Sequence, residues 1–199
     1  MMDAATVASL IMFCFATSIT PGPNNMTLAA SGVSQGVRRT IPVALGTAVG
    51  FAGLLMLSGI GIAAIVSASE LIGIGLKIAG VAYLLYLSFK LWNAGASTER
   101  TAERPLRFWH GAALQLVNPK AWTMAVSSVS VFVASAADFW PRQLFVTAIF
   151  VAVGLPCSLT WVLLGAGMKA ALRDERRQRL LNRAMALLTA ASAALVIFW

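Results

Sequence analysis

The sequence predicts an all-α membrane protein of six transmembrane helices, arranged as two inverted three-helix repeats whose first helices are each broken. Three observations lead to this prediction: the composition, the spacing of the basic residues, and a pair of interrupted apolar stretches in matching places. Of the 199 residues, 59% are hydrophobic and 11% are charged, and the mean hydropathy is +0.81. This balance is far more apolar than that of a water-soluble domain.

The length of the chain limits the number of transmembrane helices that it can form. A hydrocarbon core about 30 Å thick is crossed by roughly 20 apolar residues in a helix, which leaves room for about six spans with short links. Backbone groups in lipid must be hydrogen-bonded within the chain, and the runs are far longer than the alternating segments of a barrel. The apolar stretches run from Ala5 to Ile19, Ile41 to Val66, Leu71 to Trp92, Trp109 to Ala134, Leu144 to Met168 and Leu180 to Trp199.

The basic residues are concentrated in alternate links. The links after the first, third and fifth stretches contain nearly all of the 15 Lys and Arg residues, whereas the links on the other side contain Arg142 alone. Because basic links stay in the cytoplasm, both termini are predicted to lie outside. No aromatic residues interleave with these charges as on a nucleic-acid stacking surface, so we expect no nucleic-acid partner. The basic link residues are Arg38, Arg39, Lys90, Arg100, Arg104, Arg107, Lys169, Arg173, Arg176, Arg177, Arg179 and Arg183.

Two of the apolar stretches, the first and the fourth, are interrupted by proline. The first interruption contains Pro21, Gly22 and Pro23, and the second contains Asn118 and Pro119. Proline removes a helical donor and clashes with the preceding turn, so a continuous helix is excluded at Pro21 to Pro23. We predict a broken helix at each position.

The two interruptions each fall in the first of three spans. Because three is odd, the second half would enter the membrane from the opposite side, which is typical of the inverted repeats of secondary transporters. The chain is then one transmembrane transporter domain over 1–199, with repeat 1 over about 1–93, a cytoplasmic link over 94–107 and repeat 2 over about 108–199. A weaker correspondence places Pro156 in the fifth span and Pro42 at the start of the second.

Broken helices predict a binding cavity, because freed backbone groups in lipid must be buried in protein or line a watery space. The half-helix after each break presents free amides and the positive end of its dipole, which suit a carboxylate. Asparagines at the breaks add neutral donors and acceptors for a zwitterion, and intramembrane lysines are functional candidates. The candidate substrate-binding residues are Pro21, Gly22, Pro23, Asn24, Asn25, Lys77, Asn118, Pro119 and Lys120.

Both lysines have a structural alternative. Lys77 lies about seven residues into its span and could extend to the interface or hydrogen-bond a broken neighbouring helix. Lys120 could bind the carbonyls freed by Pro119 instead of an anionic ligand. The Gly46 and Gly50 pair has the spacing of close helix packing, and such small-residue faces also make a homodimer plausible.

The remaining reactive side chains predict little chemistry. Cys14 and Cys157 fall inside apolar runs, where a packing role is the default, and His110 is interpreted as a loop histidine. A membrane thiol-disulfide carrier would need the two sulfurs close to each other and beside the breaks, which their positions do not favour. No nucleotide-binding loop and no clustered metal ligands are present in the sequence, so neither a cofactor nor a metal is expected. A non-transporting membrane accessory protein is the other alternative.

The chain resembles the LysE/RhtB family of amino-acid exporters along its whole length. The resemblance is carried by Thr20-Pro21-Gly22-Pro23-Asn24-Asn25, the Gly46 to Gly50 face, Lys77-Ile78-Ala79-Gly80 and Leu116-Val117-Asn118-Pro119-Lys120-Ala121. It implies secondary, ion-gradient-driven export of small amino acids across the inner membrane of a bacterium. The Asn24-Asn25 pair is most similar to the branch that exports cysteine and O-acetylserine, and homoserine or threonine export is the other type considered.

One departure from the family pattern concerns coupling. Many members that this chain resembles have Asp at the position of Asn24, and an acid inside the membrane is the usual proton carrier. That carrier is absent here, so facilitated efflux and coupling through Lys77 or the substrate stay open.

Overall fold

The computed structural model describes residues 2–61, 70–93, 105–133 and 138–171, with the separate positions 176, 179–180, 183–184, 186–187 and 190–191. All regular structure in this part of the chain is helical, as predicted. The helices are α1 (Ala4–Ile19), α2 (Pro23–Gln35), α3 (Val37–Gly59), α4 (Glu70–Asn93), α5 (Phe108–Val117), α6 (Pro119–Phe132) and α7 (Phe139–Ala171).

Two of these helices are long and apolar enough to cross a membrane: α3, and the Phe139–Met168 part of α7. The pair α1 and α2 passes the same test when taken together, although it is bent by 56° at the break. The described residues therefore contain two or three candidate spans. The predicted sixth span falls mostly outside the described residues, so the six-span inverted arrangement stays a prediction.

The first span is longer than the sequence indicated. A half-helix was predicted to follow the first break, although the apolar stretch was ended at Ile19; the half-helix is α2, a helix of 13 residues that is buried almost throughout. Its extent was underestimated because Asn, Ser and Thr lower its hydropathy although the fold encloses it. The link between α2 and α3 is the single residue Gly36, whose φ of 77° lies in the left-handed region that favours glycine.

Other boundaries also differ from the prediction. Helix α3 begins at Val37 instead of Ile41, so Arg38 and Arg39 lie in its first turn. Helix α7 begins at Phe139 and continues through Pro156, which is not a break. Thr160 Oγ1 donates to the Pro156 carbonyl at 3.0 Å, within the same helix.

Close helix packing is made by small residues, as predicted for the Gly46 and Gly50 pair. A Cβ atom added to Gly46 would collide with the backbone of Phe108, and one added to Gly50 would lie 2.7 Å from the Cα atom of Ala112. This face thus packs inside the chain, against α5. Helices α2 and α7 also approach closely, because a Cβ atom added to Gly32 would collide with the backbone of Val162.

A hydrophobic core lies between α1, α3, α6 and α7. It includes four phenylalanine rings in consecutive contact: Phe132 with Phe13 at 6.0 Å, Phe13 with Phe150 at 6.2 Å, and Phe150 with Phe51 at 5.1 Å between centroids. Cys14 is completely buried in this core and Cys157 is 4% exposed, and both are free, which fits a packing role. The core supports the helices that carry the two breaks.

Candidate functional site

Helix α1 ends at the first predicted break, and its freed carbonyls are bound by side chains. Four successive carbonyls, from Thr17 to Thr20, accept such hydrogen bonds. Asn25 Nδ2 donates to both Ser18 and Thr20 at 2.8 Å, and Trp161 Nε1 on α7 donates to Ile19 at 3.1 Å. The carbonyls at the end of α1 are therefore hydrogen-bonded within the bundle, as polar backbone groups at a break away from water require.

The second predicted break is confirmed at Asn118, between α5 and α6. Asn118 has extended backbone geometry and caps α6, because its Oδ1 atom accepts from the Lys120 amide at 3.1 Å. Trp122 Nε1 donates to the freed carbonyl of Leu116 at 2.7 Å. Pro119 occupies the first position of α6, where the missing N–H costs nothing.

Lys120 connects the two breaks. Its Nζ atom lies 2.9 Å from the carbonyl oxygen and 2.9 Å from Oγ1 of Thr20, the residue that caps α1 at the start of the first break. The sequence left two roles open for Lys120: binding a carbonyl freed at a break, or binding an anionic ligand. The first is present, but the carbonyl that Lys120 binds is that of Thr20 at the first break and not one freed by Pro119. The lysine stem also passes over Gly22, where an added Cβ would lie 3.1 Å from Lys120 Cδ.

A cavity of about 60 Å³ lies between the breaks. This volume is several times that needed for one ordered water. Its wall comes from α1, α2, α3, the two helices at the second break, and α7. Among the described residues that line it, Lys120 is the one charged side chain and none is acidic.

The orientation of the Asn24 amide follows from a chain of hydrogen bonds. Gln115 approaches the Gly111 carbonyl at 3.3 Å, and because a carbonyl only accepts, the approaching atom is Nε2. The same Nε2 lies 3.2 Å from Asn24, so the Asn24 atom that faces it is Oδ1. Thr47 Oγ1 approaches that oxygen at 3.1 Å. The Asn24 NH₂ group is left free of any hydrogen bond with the described part of the chain.

Several polar atoms of the cavity wall likewise have no hydrogen-bond partner in the described part of the chain. The NH₂ groups of Asn24 and Asn118 make no hydrogen bond with described residues, and neither do the Gln115 carbonyl oxygen and the hydroxyls of Ser18 and Ser158. The cavity therefore offers both donors and neutral acceptors. A ligand with one anionic and one cationic group could use both kinds.

The predicted binding residues fall into three groups. Five line the cavity, whereas three proline residues at the breaks shape the backbone without lining it, and the side chain of Lys77, on α4, lies outside the described residues. The five are Gly22, Asn24, Asn25, Asn118 and Lys120, and the three are Pro21, Pro23 and Pro119.

Sequence reasoning missed the α3 and α7 sides of the cavity. Thr47, Ser158 and Gln115 line it, and each is a polar residue within an apolar helix. Gln115 is 3% exposed and lies three residues before Asn118, so a buried amide beside a break was the available signal. His110 was also misjudged: it is not in a loop but in the first turn of α5, where its Nδ1 accepts from the Arg107 amide at 3.0 Å.

Long apolar helices, a bent helix pair and a polar cavity at two helix breaks define the class of helical membrane transporters. The chain belongs to the LysE type translocator family, whose model matches residues 15–198. It is accordingly a transporter and not an enzyme.

Similar proteins from enterobacteria are named cysteine/O-acetylserine efflux protein. The protein of Salmonella paratyphi A is 29% identical over 99% of this chain and 100% of its own length. That of Escherichia coli is 27% identical over the same shares, and that of Klebsiella pneumoniae subsp. pneumoniae is 27% identical over 82% of this chain and 84% of its own length. No solved structure matches the chain.

Proposed function

We propose that this chain exports a small neutral amino acid or amino-acid derivative and that the substrate binds in the cavity between the two breaks. The chain is a LysE type translocator and its relatives are named for efflux of cysteine and O-acetylserine, which makes it an amino-acid exporter. One observation supports the location above all others. A cation, Lys120, joins the two broken helices at the edge of a cavity whose described wall contains no acid.

The substrate carboxylate would interact with the donors of this wall. Lys120 Nζ has a third proton beyond the two used by Thr20, and Asn24 and Asn118, whose NH₂ groups have no partner among the described residues, line the same cavity. Hydrogen bonds to a charged group contribute about 1.5–3 kcal/mol each. The ammonium would be bound by the Gln115 oxygen and the two serine hydroxyls, without a permanent negative charge.

An apolar part of the cavity wall limits the substrate side chain. Phe51, Met124 and Phe150 provide an apolar wall, and Phe150 belongs to the row of packed phenylalanines. A cavity of about 60 Å³ between such residues suits a short uncharged side chain. Cysteine and O-acetylserine meet this description, and we propose them as the substrate class.

The architecture proposed for export is the six-helix arrangement with two inverted repeats in the bacterial inner membrane. It is supported by the two breaks, at which α2 and α6 both begin with proline. Asn24 cannot carry a proton as an acid would, so we propose that coupling, where it occurs, uses a group other than residue 24. Efflux measured with and without a pH gradient tests this point.

The first test of the site is Asn24→Leu. Leucine keeps the approximate volume but removes the amide, so we expect the half-saturating substrate concentration for efflux from loaded vesicles to rise by about 5- to 150-fold, the equivalent of about 1–3 kcal/mol. The maximal rate should change less, because the break itself is held by Asn25.

Asn93→Leu is the matched control for this experiment. Asn93 is an exposed asparagine at the end of α4, away from the cavity, and should leave half-saturation unchanged. A wild-type half-saturation in Asn24→Leu, at normal abundance in the membrane, would remove the amide from the substrate site.

The proposed orientation gives a separate prediction. In a variant without the two native cysteines, cysteines introduced at Arg100 and Arg176 should react only with reagents that reach the cytoplasm, because their links are basic. Cysteines placed next to either terminus should react from outside. A carboxyl terminus that is labelled only from the cytoplasm would contradict the six-span model.

A further inference from the structure

A second cavity, separate from the substrate site, is a groove of about 720 Å³ where α3 and α5 begin. Its charged wall consists of Arg38 and Arg39 from the first turn of α3 and Arg107, the residue before α5. All three side chains are exposed. None of them forms an ion pair with the described part of the chain, and no acidic residue lines the groove there.

Helix α3 has an exposed apolar face on the side of Arg38, which lines the groove. Ile41 is 38% exposed, Leu45 is 42% exposed and Val49 is 57% exposed. With Arg38 these residues follow a spacing of three and four, so they share one face of the helix. Trp109, in the wall of the groove, is 75% exposed, as is common for a tryptophan at the boundary between headgroups and acyl chains.

We propose that this groove binds an anionic phospholipid. The phosphodiester would lie among the three guanidinium groups, which can donate paired hydrogen bonds to phosphate oxygens. An acyl chain would extend along the exposed face of α3 from Ile41 to Val49. The apolar face favours a lipid over a soluble anion, because a free anion would use only the basic end. The proposal does not depend on the substrate or on the location of the substrate site.

The experiment compares phosphatidylglycerol with phosphatidylcholine of identical acyl chains, titrated into the purified full-length protein and counted by native mass spectrometry. Wild-type protein should bind phosphatidylglycerol about 100-fold more tightly, because the choline ammonium cancels the charge of the phosphodiester in phosphatidylcholine, whereas three arginines near a net negative headgroup each contribute about fivefold. Equal affinity for the two lipids would overturn the proposal without any variant.

The variant arm uses Arg38→Gln, Arg39→Gln and Arg107→Gln together. This protein should lose most of the preference for phosphatidylglycerol. The matched control, Arg176→Gln with Arg179→Gln and Arg183→Gln, removes the same number of charges elsewhere and should stay within about threefold of wild type. An equal loss in both variants would mean a diffuse surface potential and overturn the site.

Two further measurements complete the test. Trp109→Ala keeps every charge and should still weaken phosphatidylglycerol binding by several-fold, so the proposal does not depend on the folding of the triple variant. Inorganic phosphate at millimolar concentration should fail to displace the lipid. Full displacement by inorganic phosphate would identify a site for soluble anions and contradict the lipid assignment.

Discussion

Lys120→Met is expected to raise the half-saturating substrate concentration for efflux by about 10- to 150-fold, the equivalent of roughly 1.5–3 kcal/mol for one lost charged hydrogen bond. Methionine keeps much of the stem that passes over Gly22 but removes the ammonium. Under the proposed function, the carboxylate loses its cationic partner. The Thr20 carbonyl also loses one donor, although Asn25 still donates to it at 2.8 Å.

Thr20→Val is the control that weakens the link between the two breaks while keeping the ammonium. It removes the hydroxyl that contacts Lys120 and donates to the Thr17 carbonyl, but leaves the Thr20 carbonyl contact and the ammonium in place. We expect it to change half-saturation by only a few-fold. If Thr20→Val matched Lys120→Met, or if Lys120→Met kept wild-type half-saturation at normal abundance, Lys120 would be a structural link between the breaks and not a substrate-binding residue.

Gly46→Ala is expected to lower the thermal unfolding midpoint of the purified protein and its abundance in the membrane. The added Cβ would collide with the backbone of Phe108, and backbone cannot rotate away as the end of a side chain can. Overpacking of this kind costs about 1–3 kcal/mol, and we expect the upper end because α3 and α5 must separate.

Gly53→Ala provides the matched comparison on the same helix. A Cβ at Gly53 has nothing within 4 Å, so this change should be neutral or stabilising through the better helix propensity of alanine. Similar unfolding midpoints for the two variants would show that α3 and α5 are not held at the distance described.

The two helix breaks could be predicted from the sequence because their cause is local. Proline lacks the N–H of a helical turn and clashes with the turn before it wherever it is placed, so Pro21 to Pro23 forbid a continuous helix in any fold. Pro119, beside Asn118, likewise indicated a break. Pro156 is also a proline within an apolar stretch, yet α7 continues through it, because a membrane helix can accommodate a single proline when neighbouring groups bind the freed backbone atoms.

The extent of α2 was not predictable from apolar content. The sequence predicted a half-helix after the break, but the polar residues of α2 ended the apolar stretch at Ile19; α2 is enclosed by α3 and α7, and Gly32 and Gly165 allow α2 and α7 to touch. Burial of a helix depends on what packs around it, and hydropathy along one segment does not contain that information. For the same reason the sequence did not predict that Thr47 and Ser158 line the cavity, since their position depends on the packing of α3 and α7.

By itself the sequence determined that the chain is helical and apolar, that two helices break, and that asparagine and lysine lie at the breaks. Only the tertiary structure decided which polar atom meets which. Asn25 donates to the carbonyls of its own break, whereas the neighbouring Asn24 is oriented by Gln115 so that its NH₂ group has no partner among the described residues. Lys120 meets Thr20 across 100 residues of chain. Steric effects of the backbone act over about one helical turn and can be predicted from the local sequence. Hydrogen bonds between distant segments depend on how the helices pack.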